Sequence, residues 1–158
     1  MGIFLVLINT KQFEGLRLHV YTDSVGKKTI GYGHNLEGGS DKNILLLGLD
    51  PESLENGNAD LTTSQADDLF DLDMADAHKA VEHLCPNMAT FPKAAQDILN
   101  DLSFNMGIGT LSTFHRTLND FNNEDWTAAA EDLENSLWYQ QVGNRGKIIV
   151  STLRSISP

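Results

Sequence analysis

Glu14, Asp23 and Thr29 are the residues of this chain whose types and spacing best suit chemistry. Glu14 ends a largely apolar run, and Asp23 and Thr29 follow on a short segment rich in turn formers. Two carboxyl groups held apart on different elements are what cleavage of a glycosidic bond requires. One must be protonated to donate to the leaving oxygen. The other must be ionised, to activate water or to stabilise a developing cation.

The elements expected around these residues favour that division of labour. Residues 3–13 have helix-compatible length, and Gly15 is the residue expected just past a helix end. Glu14 then falls in the last turn, at the negative end of the helix dipole, where its anion is disfavoured as a general acid requires. Asp23 lies in Thr22-Asp23-Ser24-Val25-Gly26, a cluster of turn formers where water and backbone donors keep a carboxylate charged. Thr29 precedes Ile30-Gly31-Tyr32-Gly33, a strand-like run from which its hydroxyl could face Asp23 across a water. The spacing alone equally allows Glu14 as an exposed helix-end acid and Asp23 as an ordinary turn residue.

Further along, Leu16 to Gly39 reads as a hairpin or three-stranded sheet. Ser40 to Leu49 reads as a brief helix stopped by Asp50-Pro51. Thr62 and Gln65 form a capping-box signature opening a long helix through Leu84, with Ala66, Leu69, Phe70, Met74, Ala77, Val81 and Leu84 on one face. Shorter helices follow Pro86, capped around Pro92, Thr113 and Asn123. His78 and His83, five apart, do not share a helix face, so no metal site is expected.

From Glu14 through Asp23, Gly26, Thr29, Gly31, Gly33 and His34, the chain resembles the catalytic hairpin of the phage-type lysozymes, a family of glycoside hydrolases. Leu102-Ser103-Phe104-Asn105-Met106-Gly107 is similar to the family's segment lining the cleft. Trp126 to Ala130 and Trp138 to Lys147 are similar to its C-terminal helices. The similarity runs over nearly the whole chain. It implies an α+β, mostly helical, two-lobed fold with a small antiparallel sheet in the N-terminal lobe. Residues 1–61 would form that lobe, with the first helix packing on the other. Residues 62–158 would form the linking helix and the helical C-terminal lobe.

The resemblance also implies roles. Glu14 is the general acid, and Asp23 and Thr29 position the attacking water. Inversion at the anomeric carbon follows, with the carboxyl groups roughly 6.5–9.5 Å apart. His34 matches a histidine paired with an aspartate on the long helix, here Asp73, with a solvated strand-end histidine as the alternative. Arg145 matches an arginine near the catalytic glutamate, where it would offset the bias against the anion. Substrate-contact positions fall on Asn35, Phe104, Thr117 and Asp132; Phe104 equally suits core packing. A well-known member carries an acid and an arginine across the cleft mouth at the positions of Val25 and Leu137, which are expected to approach in a closed state. The implied activity is a muramidase acting on bacterial peptidoglycan without a cofactor. A lytic transglycosylase or a chitinase is the adjacent alternative, and a non-catalytic wall-binding or tail module the distant one.

Composition suits one globular domain or two small lobes. The net charge of −11, from 11 Lys and Arg against 22 Asp and Glu, disfavours nucleic acid. It also sits oddly with an anionic wall polymer. The charge is uneven: residues 41–82 hold eleven acids against Lys42 and Lys79, whereas from Gly143 onward Arg145, Lys147 and Arg154 stand without an acid. Lys11, Arg17, Lys27 and Lys28 accompany Glu14 and Asp23, so a locally positive cleft remains possible. The single cysteine, Cys85, excludes an intramolecular disulfide and reads as buried apolar filler. The run Ile3 to Ile8 is too short to span a membrane and lacks the features of a leader, so it reads as part of a buried first helix. A monomer is expected, accumulating in the host cytoplasm without stable membrane association. A separate holin-like protein would release it to the wall.

Overall fold

The structure, a computed structural model, describes residues 8–156. These form two compact units, one of residues Asn9–Asp76 and one of residues 77–156 together with Ile8. Among the described residues the architecture is α+β: a three-stranded antiparallel sheet near the N-terminus and otherwise helices.

In the first unit, α1 (Thr10–Glu14) is a single turn, capped by the Asn9 side chain accepting from Gln12 N–H at 3.1 Å. Of the helix expected over 3–13, the described part begins at Thr10, where Asn9 caps it. Residues 3–7, with the expected burial of that run, lie outside the described residues. Gly15 ends α1, which leaves Glu14 as its last residue.

The sheet follows as β1 (Arg17–Thr22), β2 (Lys28–Gly31) and β3 (His34–Asn35), in the order β1-β2-β3. The β1–β2 register is irregular between Arg17 and Tyr21. Extra residues on one strand of a pair bend it and free backbone groups. Here the freed Leu18 carbonyl accepts from Leu61 N–H at 2.9 Å.

Two short helices come next, α2 (Lys42–Leu46) and α3 (Pro51–Glu55). α2 ends earlier than expected, at Leu46, with Leu47 as its cap and Gly48 at φ of 75° just beyond, so Asp50-Pro51 is not what stops it. Asp50 caps α3 by accepting from Glu52 N–H, and Pro51 occupies its first turn, where its missing donor costs nothing. Ile30, Ile44, Leu54, Leu61, Ala66 and Leu69 form the buried core of this unit.

The long helix α4 (Thr63–Leu84) opens as its capping box requires: Thr62 N–H donates to Gln65 Oε1 at 2.9 Å, and Gln65 N–H to Thr62 Oγ1 at 3.1 Å. Its apolar face is the expected one, with Ala66, Leu69, Ala77 and Val81 buried.

In the second unit α5 (Lys93–Leu111) starts after Pro92 and is broken at Gly107, where φ is 77° and ψ 157°. Then come α6 (His115–Asn122), α7 (Trp126–Glu134), α8 (Leu137–Val142) and α9 (Asn144–Ile156). Thr113 and Asn123 are not the starting caps expected of them. α6 starts after Phe114, Asn123 closes that helix, and Asp125 caps α7 by accepting from Ala128 N–H at 3.1 Å. The core gathers Leu99, Leu102, Phe121, Leu133 and Ile149, with Trp126 edge-on to Phe91 and Phe121 at 5.4 and 5.6 Å between centroids. Cys85 is buried in this core, and burial pushes its thiol up to about 11, far from a nucleophile's range. No helix among the described residues is long and apolar enough to cross a membrane.

Candidate active site

Glu14 is placed by the turn it ends. One helical turn earlier on α1, Lys11 donates to Asp67 on α4 at 3.1 Å and lies 5.1 Å from the ring centroids of both Tyr32 and Phe70. Those contacts tie α1 to α4 and to the β2–β3 turn. The Glu14 carboxylate then packs against the backbone of that turn. A Cβ built on Gly33 would fall 2.8 Å from Glu14 Cδ and overlap a carboxylate oxygen. Gly33 also has φ of 71°, a conformation that side chains resist. Only glycine satisfies both demands.

Asp23 closes the β1–β2 turn from both ends. Its N–H donates to the Lys27 carbonyl at 2.8 Å, and its Oδ1 accepts from Val25 N–H at 3.0 Å and Lys27 N–H at 2.8 Å. Both donors fall on Oδ1. Tyr21, paired in register with Thr29, connects the two acids. Its phenol is pushed above the ordinary tyrosine value by burial first, then by the negative charge of Glu14, with Arg17 opposing and Asp23 adding. The charges of Glu14 and Asp23 thus act on one ring.

Thr29 is only 2% exposed. Its hydroxyl donates to the Lys27 carbonyl and to Asn35 Oδ1, each at 3.0 Å, so its one proton is shared between acceptors. Asn35 is exposed, and its amide is engaged with Thr29.

The strand carrying Asn35 is fixed through its neighbour. His34 Nδ1 lies 2.6 Å from Asp73 Oδ2, and Nε2 lies 2.7 Å from Asp41 Oδ2. The solvated alternative for His34 does not hold, since it is 10% exposed. Burial pulls the imidazolium down, but the hydrogen bonds and charges of Asp73 and Asp41 outweigh it and raise His34 to about 9. Asn43 extends the network, donating to Asp73 at 2.8 Å and Asp76 at 2.9 Å. Asp41 also caps α2 through Ile44 N–H. The sequence offered Asp73 as a partner but not Asp41.

The remaining predicted site residues, Arg145, Phe104, Thr117 and Asp132, lie in the second unit. Arg145 is buried and donates to Asp101 in a two-pronged pair, Nε to Oδ2 at 2.9 Å and Nη2 to Oδ1 at 2.8 Å. Phe104 is half-buried on α5. Thr117 and Asp132 come together, lining an open depression of about 550 Å³ with Thr113, Phe114, His115, Arg116 and Asn135. Val25 and Leu137 are both strongly exposed, at 75% and 66%. His78 pairs with Glu82 at 2.9 Å and Asn100 at 3.1 Å.

Tyr21, Asp41 and Asp101 were not singled out from the sequence. Gly33 was, but only as a glycine of the hairpin motif before His34 and not as the seat of Glu14.

One unit thus brings together an acid at a helix end, a turn-held carboxylate and a strand hydroxyl. Residues 11–154 match the phage lysozyme family, and the chain belongs to it. It is a lysozyme-type glycoside hydrolase. Its similarity to probable T4-type lysozyme 1 of Dictyostelium discoideum is 28% identity over 92% of this chain and 91% of that protein. Probable T4-type lysozyme 2 of the same organism is 27% identical over the same shares. The pre-baseplate central spike protein Gp5 of Enterobacteria phage T4 is 30% identical over 84% of this chain, which corresponds to 24% of that larger protein.

Proposed function

We propose that this chain hydrolyses the β-1,4 bond between N-acetylmuramic acid and N-acetylglucosamine in bacterial peptidoglycan, with inversion. Glu14 protonates the leaving oxygen. The observation that carries this reading is the seating of the Glu14 carboxylate on the bare backbone of Gly33, beside a hairpin that holds Asp23 and Thr29.

The water chemistry follows from where the protons go. Both backbone donors to Asp23 fall on Oδ1, which leaves Oδ2 to receive a proton from water. The Thr29 proton is shared between two acceptors, so that hydroxyl meets a water as an acceptor. A water with one hydrogen on Asp23 and one on Thr29 turns its lone pair outward, as an attacking nucleophile must.

Around this centre His34, Asp73 and Asp41 hold the strand that carries Asn35, and Asn35 in turn fixes Thr29. Thr117 and Asp132 contact substrate at the depression of the C-terminal unit, with Asn35 and Phe104 as further contacts. Arg145 supports the site, held by Asp101. The enzyme works as a monomer and needs no cofactor. It accumulates in a host cell and reaches the wall when a holin-like protein opens the membrane.

The test is clearing of purified walls by wild type, Glu14→Gln and Asp23→Ala, with mass analysis of the fragments. Loss of the acid should lower the rate about 10²–10⁴-fold. Reducing muramic acid ends support hydrolysis. Anhydro ends would make the enzyme a transglycosylase that uses Glu14 alone, and full activity of Glu14→Gln would remove the assignment altogether.

A further inference from the structure

Asp120 lies on α6, one helical turn after Thr117, and therefore on the face of α6 that Thr117 presents to the depression. α7 packs on α6 and carries Asp132 into the same depression. Asp120 is half-buried as a residue, but its Oδ2 is enclosed and has no hydrogen-bond donor among the described residues. A buried carboxylate oxygen without a donor is costly. The group that Asp120 does meet is the Asp132 carboxyl, which can bond to it only if one of the two carries a proton.

We propose that Asp120 is a positioning residue that shares one proton with Asp132 and thereby sets the charge of the depression. The pair carries one negative charge while the proton is held and two once it is lost. Asn at position 120 would leave Asp132 with a single charge throughout.

The surroundings fix where that change falls. Burial pushes the Asp120 carboxyl up first, then the hydrogen bond and charge of Asp132, then the charge of Asp125 at the cap of α7. Arg116 on α6 pulls the other way, and the result is about 7. His115 also lines the depression. Above neutrality the depression is more negative and repels carboxylates of an anionic wall polymer. Below neutrality it accepts them. One extra charge at close range changes affinity on the order of fivefold.

The consequence for turnover rests on Thr117 and Asp132 contacting substrate as proposed above, whereas the shared proton does not. Two measurements separate the two. Carboxyl-carbon NMR titration of the inactive Glu14→Gln protein should show one Asp120/Asp132 step near neutrality. That step should be lost in Asp120→Asn, and in Asp132→Asn, equally isosteric, the Asp120 step should move to lower pH. A single-phase Asp120 titration below pH 5, or a step near 7 that Asp132→Asn leaves in place, overturns the pair.

Kinetics on purified walls should then show KM rising about fivefold across neutrality in wild type, with kcat following its own profile. Asp120→Asn should remove that rise in KM. A wild-type KM that stays flat while the NMR step is present would overturn the pair's influence on substrate and leave the muramidase chemistry untouched.

Discussion

A methyl group at position 33 would claim the space that the Glu14 carboxylate occupies, and would do so from a backbone conformation that side chains avoid. Gly33→Ala should therefore act twice. The strained backbone costs about 1–2 kcal/mol of stability, read from the denaturant midpoint. Displacing the acid by an ångström lowers clearing of purified walls about 10²-fold. An alanine protein with wild-type activity would separate Glu14 from the chemistry. His34 makes a different prediction, one of pH. Its folded value is raised from 6.5 to about 9, so its contribution is fully present below about pH 6.5 and is lost as the pH rises through 9. The shift corresponds to about 3 kcal/mol. Urea unfolding of wild type should weaken between pH 7 and 10, whereas His34→Asn should be nearly flat over that range. Asp101 and Arg145 complete this scale, an ion pair taken out of water with both prongs satisfied.

The capping box at the start of α4 joins a sequence signal to a measurable energy. Thr62→Ala removes the acceptor for Gln65 N–H and should cost about 1 kcal/mol, seen as a lower Tm with the fold retained. That motif was readable because its two residues are three apart and its chemistry is local. So were the glycine that ends α1, the hairpin and the apolar face of α4. What escaped was of two kinds. α3 was missed because Asp-Pro was read as a helix stop, whereas here Asp50 caps and Pro51 opens the next helix. Asp41 and Asp101 were missed because a carboxylate in a sequence looks solvated, and only the fold brings His34 or Arg145 to it. The catalytic-type residues were marked by their types and spacing and then by resemblance to a family. Tyr21, whose ring feels the same acid, was not, and Gly33 was marked only as a motif glycine, since an aromatic on a strand and a glycine in a turn have commoner explanations.

For the whole molecule, net charge and local charge pull in opposite directions. With −11 overall, the protein should be repelled by an anionic wall at long range. The reach of that repulsion depends on salt, near 30 Å at 0.01 M and about 8 Å at 0.15 M. Wall clearing should accordingly speed up as salt is raised through that interval, because screening weakens the long-range repulsion of the net charge before it weakens attraction by cations at close range. A rate that falls steadily with salt would mean that the local cations dominate at every distance.

The lone thiol of Cys85, sealed in the helical unit, gives the native chain a built-in clock. A thiol-specific reagent can modify it only in molecules whose C-terminal core has come apart. At low reagent, labelling counts how often that happens, and at high reagent, how fast. Opening of this half of the enzyme can thus be timed in unmutated protein, without an engineered probe.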